Sequence, residues 1–133
     1  MIGLDTNVLV RNLTQDDPAQ SRRANATVAA AVEKGERCRL DSVVLCELVW
    51  VLRGAYGYGK DTVVETLERI LATAQFEIGD KDHVRRALDD HRTGPADFAD
   101  YLIGQRCREM GCRKTATFDQ RLKNSGLFEV LAP

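Results

Sequence analysis

The chain lacks the features that mark several common classes of protein. It has only two histidines among its 133 residues, and its four cysteines form no CxxC pair. No histidine lies at ligand spacing from a cysteine, which argues against a structural zinc site. The apolar runs are too short to cross a membrane, and there are no repeats, low-complexity tracts or linkers. These absences favour one soluble domain over residues 1–133.

Two further absences concern location and charge. The N-terminal residues enter an apolar run directly, without the basic region and cleavage site of a secretion signal, so we expect a cytoplasmic protein. The net charge of −1 lacks the basic excess of nonspecific nucleic-acid binders. However, 14 of the 19 basic residues are arginine, which binds phosphate with two parallel hydrogen bonds. Charge alone therefore neither supports nor excludes a nucleic-acid substrate.

The hydrophobic pattern predicts short strands that alternate with longer helices. Strands are expected at 1–4, 37–40, 76–78, 114–118 and 127–131. Pro18 begins one helix and Gly35 ends it, and Ser42 is predicted to cap the helix that follows the second strand. This alternation predicts an α/β fold, an α/β/α sandwich around a short, mostly parallel central sheet.

Acidic residues occur where an apolar segment ends or a helix begins. They are Asp5, Glu47, Asp97, Asp100 and Asp119. Because ligands of parallel sheets bind beyond the carboxyl ends of the strands, Asp5 and Asp119 are expected to meet at one edge despite their separation in sequence. Asp97 and Asp100 are three residues apart and share one face of a helix. Each aspartate also has an ordinary alternative explanation as a helix cap.

Glu47 interrupts the apolar run VVLCELVWVL. A helix with this sequence is predicted to be buried on most sides, with Cys46 as a small buried thiol. A buried carboxylate is costly unless it is paired or bound to a metal. The structural alternative to a metal ligand is a salt bridge to Arg53.

Clustered carboxylates favour a bound cation. Two carboxylates about 4 Å apart repel by roughly 4 kcal/mol at an effective dielectric constant near 20. Magnesium and manganese prefer oxygen ligands and offset this repulsion. Such an ion also orients a phosphodiester and lowers the pKa of a bound water. The acids therefore predict a metal-dependent phosphodiesterase, with the number of ions left open.

Four segments resemble the acidic motifs of PIN-domain ribonucleases, in the family's order. They are LDTNVLVR, the S-x-x-x-x-E-L-x-x-V-L pattern at 42–52, ADFADYLIG and TFDQRL. In length and motif order the whole chain is similar to the VapC-type toxins of type II toxin–antitoxin pairs. The resemblance implies endonucleolytic cleavage of RNA with Mg²⁺ or Mn²⁺, an antitoxin partner and a homodimer. It assigns catalysis and metal binding to Asp5, Glu47, Asp100 and Asp119, further metal binding to Asp97, and polar support to Thr6, Asn7 and Thr117.

Three alternatives stay open. A PIN nuclease can process RNA instead of acting as a toxin. An aspartate-based phosphatase or phosphotransferase also places acids at strand ends, but it usually has a second Asp where this chain has Asn7. A noncatalytic interaction module would use the acids as caps and salt-bridge partners. Trp50, Tyr56 and Tyr58 add apolar and aromatic surface that could serve a protein partner.

Overall fold

The computed structural model describes residues 1–133. Its internal contacts divide the chain into two compact units, Met1–Asp80 and Lys81–Pro133. No helix in either unit is both long enough and apolar enough to span a membrane.

The first unit contains a three-stranded parallel sheet and four helices. Its elements are β1 (Ile2–Gly3), α1 (Thr6–Thr14), α2 (Pro18–Glu33), β2 (Cys38–Leu40), α3 (Ser42–Gly54), α4 (Lys60–Ala72) and β3 (Phe76–Ile78). The strand order is β1-β2-β3, and Cys38 of β2 lies opposite Ile2 on one side and Phe76 on the other. Parallel neighbours need a crossover connection, and here each crossover is a pair of helices.

The second unit contains two helices and a two-stranded parallel sheet. Its elements are α5 (Lys81–Thr93), α6 (Phe98–Glu109), β4 (Thr115–Thr117), a 3₁₀ helix (Gln120–Leu122) and β5 (Phe128–Val130). A side chain at Gly104 would put its Cβ 2.8 Å from the ring of Phe128. Glycine at this position therefore lets α6 pack closely against β5.

The predicted elements agree with the structure. All strand pairs are parallel, so the prediction of an α/β fold with a short, mostly parallel sheet is confirmed. The cap predicted at Ser42 is wrong, because Asp41 caps α3 by accepting a hydrogen bond from the Val43 amide at 2.8 Å. Ser42 is the first residue of the helix and is buried.

The apolar face of α3 lies in the core of the first unit, where Leu45, Leu48 and Leu52 are at most 1% exposed. The opposite face is exposed at Val43, Glu47 and Trp50, a stripe with helical spacing. The helix is buried on most sides, as predicted, but the prediction that Glu47 is buried is wrong, because Glu47 lies on this exposed stripe. Cys46, beside the stripe, is only partly buried.

Candidate active site

Thr6 links two of the predicted site residues in the first unit. Asp5 follows β1 and caps α1, and its carboxylate accepts a hydrogen bond from the Thr6 amide at 2.8 Å. The hydroxyl of Thr6 donates to Oε1 of Glu47, also at 2.8 Å. Thr6 is 7% exposed, so its hydroxyl is largely withdrawn from water. One threonine thus fixes the carboxylate at the end of β1 and the carboxylate of α3.

Glu47 differs from its predicted environment. It is exposed rather than buried, and it forms no ion pair with Arg53. The apolar neighbours of Glu47 in sequence point to the core, whereas Glu47 lies on the exposed stripe of α3. Because an exposed carboxylate needs no counter-ion, the Thr6 hydroxyl is a sufficient partner for it. The carboxylate is therefore accessible to a ligand.

Asn7 lies on the exposed side of α1. It lines a groove of about 260 Å³ between α1 and α2, together with Arg11, Gln20 and Arg23. Arg11 is held in this groove by Gln20, which accepts from its Nε at 2.7 Å. The structure thus places Asn7 beside arginines and not in a hydrogen bond to Asp5.

The second unit brings three predicted site residues together around one arginine. Arg121 Nη2 lies 2.7 Å from Asp119 Oδ2 and 3.9 Å from Asp100 Oδ2. Its Nη1 lies 3.7 Å from Asp97 Oδ1, and its Nε donates to both oxygens of Asp119 at 3.1 Å. We refer to Asp97, Asp100 and Asp119 as the acidic cluster. A single guanidinium is the cation that faces all three carboxylates.

Local structure fixes the two acids of α6. Asp97 is the N-cap residue of that helix, and its amide donates to Asp100 Oδ2 at 3.2 Å. Both backbone polar groups of the preceding residue, Ala96, have side-chain partners. Its amide donates to the Tyr101 hydroxyl at 3.3 Å, and its carbonyl lies 2.9 Å from His91 Nδ1. Both aromatic residues are buried, so the start of α6 has a rigid support.

Asp119 is held by the end of β4. Its amide donates to the hydroxyl of Thr117 at 3.1 Å, and its carboxylate accepts from the amide of Arg121 at 2.9 Å. Thr117 is the last residue of the strand. The last residue of β4 therefore fixes the backbone at Asp119, which carries one carboxylate of the acidic cluster.

Two acids of the cluster, Asp100 and Asp119, have pKa values that are shifted in opposite directions. Burial raises the pKa of Asp100, and repulsion from Asp97 and Asp119 adds to this effect. Hydrogen bonds from the side chain and backbone of Arg121 lower the pKa of Asp119. The same side-chain hydrogen bonds raise the pKa of Arg121, which stays charged. Three carboxylates against one guanidinium leave an excess of negative charge.

The donor set fits a hard divalent cation by its chemistry. All the predicted ligands are carboxylates, which magnesium and manganese prefer, and a guanidinium already stands as a cation among three of them. The present side-chain positions do not form a metal site, since nowhere do three or more His, Cys, Asp or Glu side chains come close enough to hold an ion. In the second unit, the guanidinium of Arg121 lies within 4 Å of all three carboxylates of the acidic cluster.

Sequence reasoning identified the acids but missed Arg121. The signal available in TFDQRL was a basic residue two positions after the acid, a spacing that lets one side chain bond the other across a tight turn. Its contacts with Asp97 and Asp100 depend on tertiary structure. They could not be inferred from the spacing in the sequence.

Comparisons with known proteins define the class. The PIN domain family matches residues 2–126, so the chain belongs to the PIN domain family. It is also similar to a protein named VapC ribonuclease from Aquifex aeolicus (strain VF5). The two are 26% identical over 130 residues, which cover 98% of this chain and 95% of the relative. No solved structure matches the chain significantly.

Proposed function

We propose that this PIN-domain protein is a cytoplasmic endoribonuclease that depends on Mg²⁺ or Mn²⁺ and acts as the toxin of a toxin–antitoxin pair. The observation that carries the proposal is the acidic cluster, three carboxylates that converge on a cation in a chain of the PIN family. The name of the Aquifex relative supports RNA as the substrate.

The proposal assigns the acids as follows. The metal would be held by Asp5, Glu47, Asp97, Asp100 and Asp119. The proposed catalytic residues are Asp5, Glu47, Asp100 and Asp119. When bound, the metal would polarise the phosphodiester and lower the pKa of a water molecule.

Thr6 and Thr117 act as positioning residues in this proposal. The Thr6 hydroxyl holds Glu47 by a neutral hydrogen bond, which leaves the charge of the carboxylate available to a cation. Thr117 fixes the backbone of Asp119 without touching its carboxylate. Asn7 and Arg23 line the same groove and are exposed, and they would contact the RNA backbone rather than the metal.

The exposed stripe of α3 is the proposed contact surface for an antitoxin. Val43 and Trp50 are each 56% exposed, and Glu47 lies between them on the same stripe. An amphipathic segment of the antitoxin could cover the two apolar side chains and direct an Arg or Lys toward the carboxylate. Tyr56 is less suited to this role, since it donates a hydrogen bond to Asp16 and accepts one from Arg11. We further propose that the protein forms a homodimer.

Cleavage mapping on total cellular RNA tests the proposed activity. The wild-type protein should cut RNA at defined sites with Mg²⁺ or Mn²⁺ and lose this activity with a chelator. Asp5→Asn should be inactive. Asp61→Asn, which neutralises an exposed acid in the first turn of α4, is the matched control and should be fully active. Cleavage that persists in Asp5→Asn would contradict the assignment.

The toxin role has a separate test. Expression of the protein alone should inhibit growth, and coexpression with the product of the neighbouring gene should relieve the inhibition and yield a complex that copurifies. Trp50→Ala should weaken this complex. If expression is harmless while the purified protein cleaves RNA, the protein is an RNA-processing nuclease and the toxin role is wrong.

A further inference from the structure

Arg121 lies at the border of two different environments within the second unit. On one side are the three carboxylates of the acidic cluster. On the other side is a cleft of about 690 Å³, which Arg121 lines together with Arg86, Arg108 and Asn124. The side chain of Arg121 is 49% exposed, so it can change its rotamer without disturbing the core.

The cleft is equipped to bind a phosphate group. Arg108 is oriented by Gln105, whose Oε1 accepts from its Nη2 at 2.8 Å, and Gln105 in turn donates to Asp90 at 2.6 Å. Gln105 is 4% exposed, so this support is a buried one. Arg86 is exposed and forms no salt bridge. Fixed and free guanidinium groups beside an amide are typical phosphate ligands.

The two acids that line the same cleft do not cancel this positive charge. Asp90 accepts the hydrogen bond from Gln105. Asp89 lies 3.7 Å from Arg92, a cation of its own helix. Asp90 keeps its negative charge, because an amide donor does not neutralise it. With Arg92 offsetting Asp89, the three arginines still give the cleft a net positive charge once Arg121 turns toward it.

We propose that Arg121 exchanges between these two environments. In the metal-free protein its guanidinium closes the acidic cluster. When a divalent cation binds the carboxylates, Arg121 turns into the cleft and binds a phosphate group of the RNA. This inference rests on the proposed function, and it makes Arg121 a substrate-binding residue that couples metal binding to RNA binding.

Electrostatics gives the reason for the exchange. Arg121 and a divalent cation need the same carboxylate oxygens, and at equal distance they repel each other about twice as strongly as two unit charges do. The cluster cannot hold both in its present geometry. The displaced guanidinium can instead bind a phosphate in the cleft that it already lines.

Titration with Mn²⁺ tests the competition directly, without using activity. Wild type, Arg121→Gln and Arg113→Gln are compared by calorimetry, after circular dichroism has verified that each is folded. Arg121→Gln should bind Mn²⁺ about tenfold more tightly, the change expected when several partly exposed ion pairs no longer compete. Arg121→Lys should fall between it and the wild type. Arg113 has only Glu129 as an acidic neighbour, at 3.6 Å, so Arg113→Gln should match the wild type. Equal Mn²⁺ affinity in wild type and Arg121→Gln would overturn the proposal.

Binding of a short RNA oligonucleotide tests the release into the cleft. The measurement uses a phosphorothioate RNA, which resists cleavage and keeps the backbone charge, with and without Mn²⁺. Arg121→Gln should weaken RNA binding about tenfold with Mn²⁺ and leave it unchanged without the metal. An equal loss under both conditions would contradict the exchange, because Arg121 would then contact RNA regardless of the metal.

The two hypotheses fail separately. If the protein cleaves no RNA but Arg121→Gln still tightens Mn²⁺ binding, the proposed function is wrong and the competition stands. If RNA is cleaved with metal but Arg121→Gln changes neither affinity, the nuclease stands and the exchange is wrong.

Discussion

The two compact units stabilise the carboxylates of the candidate site in different ways. In Met1–Asp80, Asp5 and Glu47 accept hydrogen bonds from the amide and the hydroxyl of Thr6. In Lys81–Pro133, the acidic cluster faces the charged guanidinium of Arg121. The first unit thus uses uncharged donors, and the second uses a cation.

The difference determines what a metal ion would have to displace. An uncharged donor stabilises a carboxylate without competing for a cation, so Thr6 can keep its contacts when an ion binds. A guanidinium competes for the same oxygens and has to leave. We therefore expect the first unit to be preorganised, and the second unit to rearrange its side chains on metal binding.

The largest expected effects are on catalysis. Glu47→Gln and Asp100→Asn should each lower the rate of RNA cleavage by about a hundredfold or more, because each removes the charge of one proposed metal ligand. The two substitutions should differ in their effect on the melting temperature of the metal-free protein. Asp100→Asn removes repulsion within the cluster and should raise the melting temperature, whereas Glu47→Gln keeps the hydrogen bond from Thr6 and should leave it unchanged. Cleavage rates and thermal melts check both, and full activity in Glu47→Gln would exclude its catalytic role.

A smaller effect is expected from Thr6→Val. The substitution removes a buried hydroxyl and its hydrogen bond to Glu47, and should lower the free energy of unfolding by about 1–2 kcal/mol. Thr66→Val is the matched control, since the Thr66 hydroxyl is exposed and donates only to the carbonyl of Thr62 in its own helix. That control should cost less than about 0.5 kcal/mol. Equal losses in urea denaturation would mean that the link through Thr6 contributes nothing specific.

The smallest expected effect is a difference in pH dependence between the units. Hydrogen bonds from Tyr56 and Thr14 lower the pKa of Asp16 in the first unit. The stability that Asp16 contributes is present above its unfolded pKa near 3.8 and is lost as the pH falls through the lower folded pKa. Asp100 has a raised pKa and behaves in the opposite way. Its contribution is present below 3.8 and is lost as the pH rises through the folded pKa.

Asn variants at both positions isolate these contributions. Relative to the wild type, Asp16→Asn should become less destabilising as the pH falls below 3.8, since the interaction it lacks is then lost in the wild type as well. Asp100→Asn should become more stabilising as the pH rises above that value. Metal-free denaturation curves between about pH 2.5 and 6 measure both trends, and trends of the same sign would contradict the contrast between the units.

Much of this fold could be predicted from the sequence, because strand ends and helix starts are encoded locally. Asp5 and Asp17 cap helices where their sequence neighbours predict it, and Pro18 begins a helix in its preferred first position. The exposed stripe of α3 was not predicted. Hydrophobicity along the chain indicates burial for the helix as a whole, and only tertiary packing decides that the face with Glu47 and Trp50 stays open.

The candidate site was predictable in its residue types and not in its contacts. The apolar context of each acid identified Glu47 and Asp100 as candidates. The hydroxyl of Thr6 reaches Glu47 across 41 positions of sequence, and Arg121 reaches Asp100 across a helix and a strand. Such contacts depend on how elements pack. A single sequence carries no direct signal for them.

The most direct test of the account is the thermal response of metal-free protein to Mg²⁺ in three proteins: the wild type, Asp5→Asn and Asp100→Asn. Asp5 and Asp100 are both proposed metal ligands, so each substitution should weaken the response. If the dissociation constant is about 1 mM, then about 10 mM Mg²⁺ should stabilise the wild type by roughly 1.4 kcal/mol, a shift of about 4 °C in melting temperature. Each variant should lose most of this shift. A shift that remains at the wild-type value in both variants would contradict the account.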